Sequence, residues 1–162
     1  MKRVGIVMGS DSDLPVIQKA TNLLKELEIP FEVHVFSAHR TPEQARQFSV
    51  DARKNGFGVL IAAAGMAAHL AGAIAANTTL PVIGIPCKGP ALDGLDALLS
   101  TVQMPSGIPV ATVGVNNGAN AALLAAEILA VEDAALAERL QRKREADTAA
   151  VLQKDAGIAE RL

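Results

Sequence analysis

Apolar runs and helix-like stretches alternate from one end of this chain to the other, and this alternation limits its fold more than any other feature. Short runs rich in valine, isoleucine and alanine favour buried strands, and the stretches between them have helical spacing. The pattern predicts strands over 3–8, 31–36, 58–64, 80–86 and 108–115, and helices over 13–28, 41–55, 66–77, 91–103, 119–131 and 133–153.

Strands that alternate with helices predict parallel pairing through right-handed crossovers. We therefore expect an α/β fold, a three-layer doubly wound parallel sheet with five strands in the flavodoxin-like order 2-1-3-4-5. The 162 residues contain no linker or repeat, which predicts a single domain. Within it, 1–132 would form the flavodoxin-like catalytic part, and 133–162 a C-terminal helix and tail packing on the same or a neighbouring subunit.

Charge and composition argue against several classes of partner. The formal net charge is −2 with no basic block outside the last helix, so we expect no nucleic-acid partner. The longest apolar stretch is interrupted by Gly65, His69 and Gly72, so we expect no membrane span. Cys87 is the only cysteine, and the N-terminus lacks the apolar length of a signal peptide, so we expect a cytoplasmic protein.

Two predicted helices, 67–76 and 119–131, are apolar nearly all round. A helix with one face in water should not have this composition. Either these helices are deeply buried or they contact another subunit, and we expect a homo-oligomer.

Three loops carry the unusual polar residues: 9–13, 37–41 and 65–69. They follow strands 1, 2 and 3, which are neighbours in the predicted order. Because loops after parallel strands emerge at the same edge of the sheet, we expect these three to meet in space.

The first loop, Gly-Ser-Asp-Ser-Asp, lies between a strand and a helix N-terminus, where backbone N–H groups favour an anion. Ser10 and Ser12 could donate to a phosphate, and the Asp13 carboxylate suits a pair of ribose hydroxyls. The polar residues of this loop are explained equally well if Ser12 or Asp13 only caps the following helix.

The second loop contains His39 and Arg40. Arg40 offers a charged fork for phosphate, and His39 can transfer a proton near neutral pH. Taken alone, this loop is better explained as a surface His-Arg pair before a helix. Because the predicted fold places it beside the serine-rich loop, a functional role for the pair becomes the better supported of the two. Thr41, Pro42 and Gln44 predict a helix start with a capping box.

The third loop supplies His69, predicted in the first turn of a small-residue helix. A lone histidine on an apolar face is more often a hydrogen-bonded core residue than a catalyst. The histidines have no metal-ligand spacing and Cys87 has no partner, so we expect no metal. From the residues alone we predict an α/β enzyme for a small phosphorylated sugar-type ligand, working through histidine.

Several segments in the same order resemble a known family, the bacterial class I N5-carboxyaminoimidazole ribonucleotide mutases. They are MGSDSD at 8–13, SAHRTP at 37–42, AAHL at 67–70, VQMPSGIPV at 102–110 and NAALLAA at 120–126. The resemblance runs from about residue 3 to residue 150.

The resemblance implies conversion of N5-carboxyaminoimidazole ribonucleotide to 4-carboxyaminoimidazole ribonucleotide in purine biosynthesis, without ATP, metal or organic cofactor. It implies decarboxylation and recarboxylation in a closed site, with His39 as the general acid and base. Family members form octamers with sites at subunit interfaces. The resemblance places substrate-binding groups at Ser10, Asp13, Ser37 and Arg40, and the wall of a CO₂ pocket at Ala64, Gly65, His69 and Leu70.

The chain departs from the family at residues 63–72, where AAGMAAHLAG replaces the usual GAGGAAHLPG. Met66 for glycine and Ala71 for proline could change the pocket wall, so a related substrate is an open alternative. The main alternative is a class II enzyme that carboxylates aminoimidazole ribonucleotide directly with CO₂. That class resembles the chain less, because it has lysine where Arg40 stands and lacks a histidine equivalent to His69.

Two other classes share the predicted fold. A flavodoxin-like electron carrier normally stacks its flavin on aromatic rings, and this chain has no Trp or Tyr. A phosphate-accepting signalling domain needs an aspartate at the end of the third strand, where 62–64 are alanines.

Overall fold

In the computed structural model, which describes residues 1–159, five parallel strands form one sheet. Their order is 2-1-3-4-5, which confirms the predicted doubly wound, flavodoxin-like topology. The strands are β1 (Arg3–Met8), β2 (Phe31–Val35), β3 (Phe57–Gly65), β4 (Val82–Cys87) and β5 (Ala111–Thr112). The helices are α1 (Leu14–Glu26), α2 (Pro42–Asp51), α3 (Leu70–Ala75), α4 (Leu95–Val102), α5 (Gly118–Ala130) and α6 (Ala134–Ala156), with a short 3₁₀ helix at Asp11–Asp13.

The fifth strand and the fourth helix are shorter than predicted because their backbones leave the regular conformation. The fifth strand was expected over 108–115, but only Ala111–Thr112 pair with β4. Pro109 has no N–H for the ladder, and a turn at 114–117 leads the chain away. The helix expected over 91–103 begins only at Leu95, because Asp93 and Gly94 are left-handed, with φ of 56° and 97°.

The core lies on both faces of the sheet, and the side-chain alternation of the strands divides it. On β1, Val4, Ile6 and Met8 point to the face covered by α1 and α5. Val7 points to the opposite face, where α2 and α3 pack. This double coverage is why most strands are continuous apolar runs.

Helix α5 is apolar nearly all round because the chain itself covers most of it. It lies between the sheet, α1 and α6, and Ala121, Ala122, Ala125 and Ala126 are fully buried. Burial within the chain therefore accounts for the composition that had predicted an oligomer contact. In α3 the buried side chains include Leu70, Ala71 and Ile74, and the outward Ala73 and Ala76 are small.

The first half of α6 is anchored to the rest of the molecule. The Asp133 carboxylate caps the helix by accepting from Leu136 N at 3.0 Å, and the Leu136 side chain is fully buried. Arg139 Nε donates to the Leu27 carbonyl oxygen at 3.0 Å. Residues 144–156 are exposed, and 160–162 of the predicted tail lie outside the described residues.

Across residues 1–159, none of the helices combines the length and apolar character that a membrane span requires.

Candidate functional site

One cavity of about 580 Å³ lies at the carboxyl edge of the sheet, and the three predicted loops meet there. The nine side chains and backbone positions predicted to form the site all line this cavity. They are Ser10, Asp13, Ser37, His39, Arg40, Ala64, Gly65, His69 and Leu70. Because β2, β1 and β3 are adjacent, residues separated by dozens of positions come together as predicted.

The first loop is held by hydrogen bonds among its own serines. Ser10 Oγ accepts from Ser12 N at 3.3 Å and from Ser12 Oγ at 2.9 Å, so Ser10 caps the 3₁₀ helix. Asp13 stands at the N-cap position of α1, but its side chain makes no capping hydrogen bond. Capping therefore does not explain the Asp13 carboxylate, which lines the cavity instead.

The second loop is organised around Ser37 and Thr41. Ser37 Oγ accepts from the backbone N–H of His39 at 3.3 Å and of Arg40 at 3.1 Å. Thr41 Oγ1 accepts from Ser37 N at 2.8 Å and donates to the Ser37 carbonyl oxygen at 3.2 Å. These bonds fix the backbone that carries His39 into the cavity.

The capping box predicted at Thr41 and Gln44 is wrong. Thr41 is the N-cap residue of α2, but its side chain makes no capping bond, because the hydroxyl is used within the Ser37–Thr41 loop. Arg40 joins this loop to the first one, since its Nη2 donates to the Gly9 carbonyl oxygen at 3.2 Å.

The third loop differs most from the prediction. A helix was expected from Met66, but Met66 and Ala68 are left-handed, with φ of 54° and 42°, and α3 begins only at Leu70. A turn closed by Ala68 N donating to the Gly65 carbonyl oxygen at 3.0 Å reverses the chain here. His69 is consequently the N-cap residue of α3 and not part of its first turn.

His69 is exposed at the cavity and contacts His39. The distance from His39 Nε2 to His69 Nδ1 is 2.6 Å, and the two rings are nearly perpendicular, at 84°. His69 is therefore not a core histidine, and it lines the cavity at the position where the family resemblance predicted a pocket wall. His34 lies elsewhere, where its Nε2 contacts the Glu32 carboxylate at 2.6 Å and its ring stacks on Phe36.

The loop after β4 forms a fourth wall that sequence reasoning missed. Lys88, Gly89 and Pro90 line the cavity. The Lys88 ammonium lies 2.7 Å from the Asp93 carboxylate, and Lys88 N donates to Asn116 Oδ1 at 2.9 Å. The signal was available, because β4 is the neighbour of β3 in the predicted order and its loop emerges at the same edge.

Burial raises the pKa of two neighbouring groups, the Asp13 carboxyl at the cavity and the Cys87 thiol beside it. It raises the pKa of the Asp13 carboxyl, and hydrogen bonds from the Cys87 side chain and the Ser10 backbone oppose that rise. Burial, with the nearby Asp13 charge and hydrogen bond, raises the pKa of the Cys87 thiol to about 12. Cys87 is therefore a neutral thiol, 2% exposed, beneath a carboxylate that faces the cavity.

Among the described residues, no three His, Cys, Asp or Glu side chains are grouped closely enough to hold a metal ion. The cavity instead offers one guanidinium, one ammonium, one carboxylate, a pair of imidazoles and the loop hydroxyls. This set can bind an anion, hold vicinal hydroxyls and transfer a proton.

Comparison with known proteins gives a consistent result. A protein-family model described as AIR carboxylase matches residues 3–150. The chain is 54% identical over 145 residues to the N5-carboxyaminoimidazole ribonucleotide mutase of Pyrococcus abyssi, which covers 90% of this chain and 83% of that protein. It is 58% identical over 130 residues to the phosphoribosylaminoimidazole carboxylase of Ogataea methanolica, covering 80% of this chain but 24% of that longer protein.

Among solved structures, Treponema denticola PurE superposes with a TM-score of 0.83 at 29% identity. The match covers 94% of this chain and 96% of the Treponema chain.

Proposed function

The chain belongs to the AIR carboxylase family, and from this we propose that it is a mutase that converts N5-carboxyaminoimidazole ribonucleotide to 4-carboxyaminoimidazole ribonucleotide in de novo purine biosynthesis. The observation that carries the proposal is the cavity that brings His39, Arg40 and Asp13 together at one sheet edge. The name of the Pyrococcus relative, matched over most of both chains, supports the same reaction.

The proposed substrate position follows from the charges that line the cavity. Arg40 binds the phosphate, with hydroxyl donors from Ser10 and Ser37. Ser37 Oγ accepts two backbone N–H bonds, and within residues 1–159 it donates to no acceptor, so its hydrogen can be donated to a phosphate oxygen. The Asp13 carboxylate accepts from the ribose hydroxyls.

The reaction needs one proton to move from carbon 4 of the ring to the exocyclic nitrogen. In the first step the N–C bond breaks, CO₂ leaves, and His39 gives a proton to the nitrogen. In the second step carbon 4 attacks CO₂ and its proton returns to His39. The Ala64 methyl group and the Gly65 backbone, with Leu70 and His69, form the wall against which CO₂ is retained.

The alternative is direct carboxylation of aminoimidazole ribonucleotide with CO₂. The Ogataea relative is named a carboxylase, but this chain spans only about a quarter of that protein. Its name therefore describes the activity of a longer molecule. The relative matched over most of its own length is named a mutase, which favours the mutase reaction.

The test gives purified protein two substrates in parallel, without ATP or metal. One is N5-carboxyaminoimidazole ribonucleotide, and the other is aminoimidazole ribonucleotide with bicarbonate at a physiological level. The mutase predicts fast product formation from the first alone. Efficient product formation from the second would replace the mutase with the carboxylase. Activity on neither would mean that Met66 and its neighbours select another substrate.

The same proposal includes a homo-octamer, a cytoplasmic location, and a division into a catalytic part at 1–132 and a C-terminal helix and tail at 133–162. The exposed second half of α6 supports a contact with a neighbouring subunit. The buried free thiol of Cys87 suits a reducing compartment.

A further inference from the structure

The contact between His39 and His69 requires a hydrogen atom between two nitrogens. At 2.6 Å from Nε2 of His39 to Nδ1 of His69, one nitrogen must donate and the other must accept. Two nitrogens that both carried hydrogen would clash at this distance. The contact therefore links the tautomer of one ring to that of the other.

Both rings line the cavity, and each has a second nitrogen besides the one in this contact. Neither His39 Nδ1 nor His69 Nε2 has a hydrogen-bond partner within residues 1–159. His39 can thus meet a substrate through Nδ1 while its Nε2 stays bonded to His69.

We propose that His69 is a positioning residue whose Nδ1 accepts a hydrogen bond from His39 Nε2–H, so that His39 Nδ1 is the nitrogen that exchanges the proton with the substrate. This inference rests on the proposed function, because it assigns a partner to the group that transfers the proton.

The proposed role explains how one histidine can serve as acid and then as base. When His39 carries a proton on both nitrogens, the neutral Nδ1 of His69 stabilises the Nε2–H. After Nδ1 gives its proton to the substrate nitrogen, the Nε2–H bond to His69 persists and leaves Nδ1 as a bare base for the carbon 4 proton. The neutral imidazole of His69 accepts the same hydrogen bond in both steps, so both steps proceed at the Nδ1 of one ring.

The backbone before His69 supports the assignment. Two non-glycine residues, Met66 and Ala68, are held left-handed directly before it. Such conformations are unfavourable for residues with a Cβ, and they persist where surrounding structure enforces them, commonly at functional sites. Here they delay the start of α3 to Leu70 and place His69 at its N-cap, within reach of His39.

Two substitutions at His69 distinguish the effect of its hydrogen bond on kcat from the effect of the size of its side chain. In His69→Asn, the side-chain carbonyl oxygen takes the place of Nδ1 and can accept from His39 Nε2–H. In His69→Leu, a side chain of similar size has no acceptor. We expect kcat to fall by less than ~10-fold in His69→Asn and by ~100-fold or more in His69→Leu, with KM nearly unchanged in both. Equal losses of kcat in the two variants would contradict the proposal.

Nitrogen-15 spectra of the histidine rings test the same bond without turnover. The chain has three histidines, and His39→Asn identifies the His39 signals by their loss. We expect the neutral His39 ring to carry its hydrogen on Nε2 in the native chain and in His69→Asn, and to become a mixture of tautomers in His69→Leu. A native His39 with hydrogen on Nδ1 would overturn the inference. If the native chain lacked mutase activity, the proposed function would fail while these spectra still decided the hydrogen bond.

Discussion

At the scale of single residues, a side chain that lines the cavity, Asp13, lowers the stability of the folded protein. Asp13 is a half-buried carboxylate that makes no helix cap, and burial raises its pKa. A raised carboxyl pKa means that the ionised form is less favourable in the folded chain than in the unfolded chain. The folded state therefore loses stability as the pH rises through the folded-state pKa of Asp13, a cost consistent with a binding role.

We predict that Asp13→Asn stabilises the folded protein near neutral pH while weakening substrate binding. Because Asp13 is partly exposed, we expect the gain in unfolding free energy to be about 1 kcal/mol or less. The gain should shrink toward about pH 4, where the native carboxyl is increasingly protonated. Urea unfolding at several pH values measures it. Asp11→Asn in the same loop is the control and should change stability little, since Asp11 is exposed.

His39 is expected to be required for turnover and not for binding. We predict that His39→Asn lowers kcat by ~10²–10⁴-fold, because the proton-transfer group is lost, while the affinity for the nucleotide stays nearly unchanged. Steady-state kinetics and calorimetric titration with product measure the two effects. His34→Asn is the control, because His34 lies outside the cavity beside Glu32. Near-normal turnover by His39→Asn would exclude the assignment.

At the scale of helices and strands, the close approach of α5 to α1 determines which residue can begin α5. Gly118 is buried at the start of α5, and a Cβ there would overlap the Val16 carbonyl oxygen. That oxygen belongs to the backbone of α1, so neither group can move without separating the helices. The small residues of α5 extend this close packing along the helix.

We predict that Gly118→Ala costs at least about 2 kcal/mol of unfolding free energy, because the added methyl group meets backbone atoms. Gly114→Ala is the matched control, since a Cβ at Gly114 would come no nearer than 3.8 Å to Asn117. Chemical denaturation of the two variants measures the difference. Equal stabilities would show that α1 and α5 can shift apart at little cost.

At the scale of the whole molecule, the described part of the chain presents an apolar stripe next to the cavity. Leu95, Leu99 and Val102 recur at helical spacing on the exposed side of α4, Leu92 lies in the turn before the helix, and all four are 48–59% exposed. The stripe begins two residues after Pro90, which lines the cavity. Contiguous exposed apolar surface commonly marks an interaction site, and the proposed octamer supplies a second copy of the chain as its partner.

We predict that the double variant Leu95→Glu, Leu99→Glu has a lower assembly mass than the native protein, because two charges would be buried at the subunit contact. Light scattering after size exclusion measures the mass, and circular dichroism checks that the subunits stay folded. Val131→Glu is the control, because Val131 is 84% exposed and lies outside the stripe. An unchanged mass in the double variant would remove α4 from the interface.

The order of the strands and the edge of the sheet where the polar residues meet could be predicted from the amino-acid sequence alone. Strand and helix periodicities are local properties of the chain, and the rule that parallel strands end at one edge then brought Ser10, Arg40 and His69 into one cavity. The turn of the third loop, the cover of α5 by the chain's own helices and the contact of His69 with His39 became visible only in the folded molecule. These features depend on contacts between residues far apart in sequence, which can override local helical preference, as the left-handed Met66 and Ala68 demonstrate.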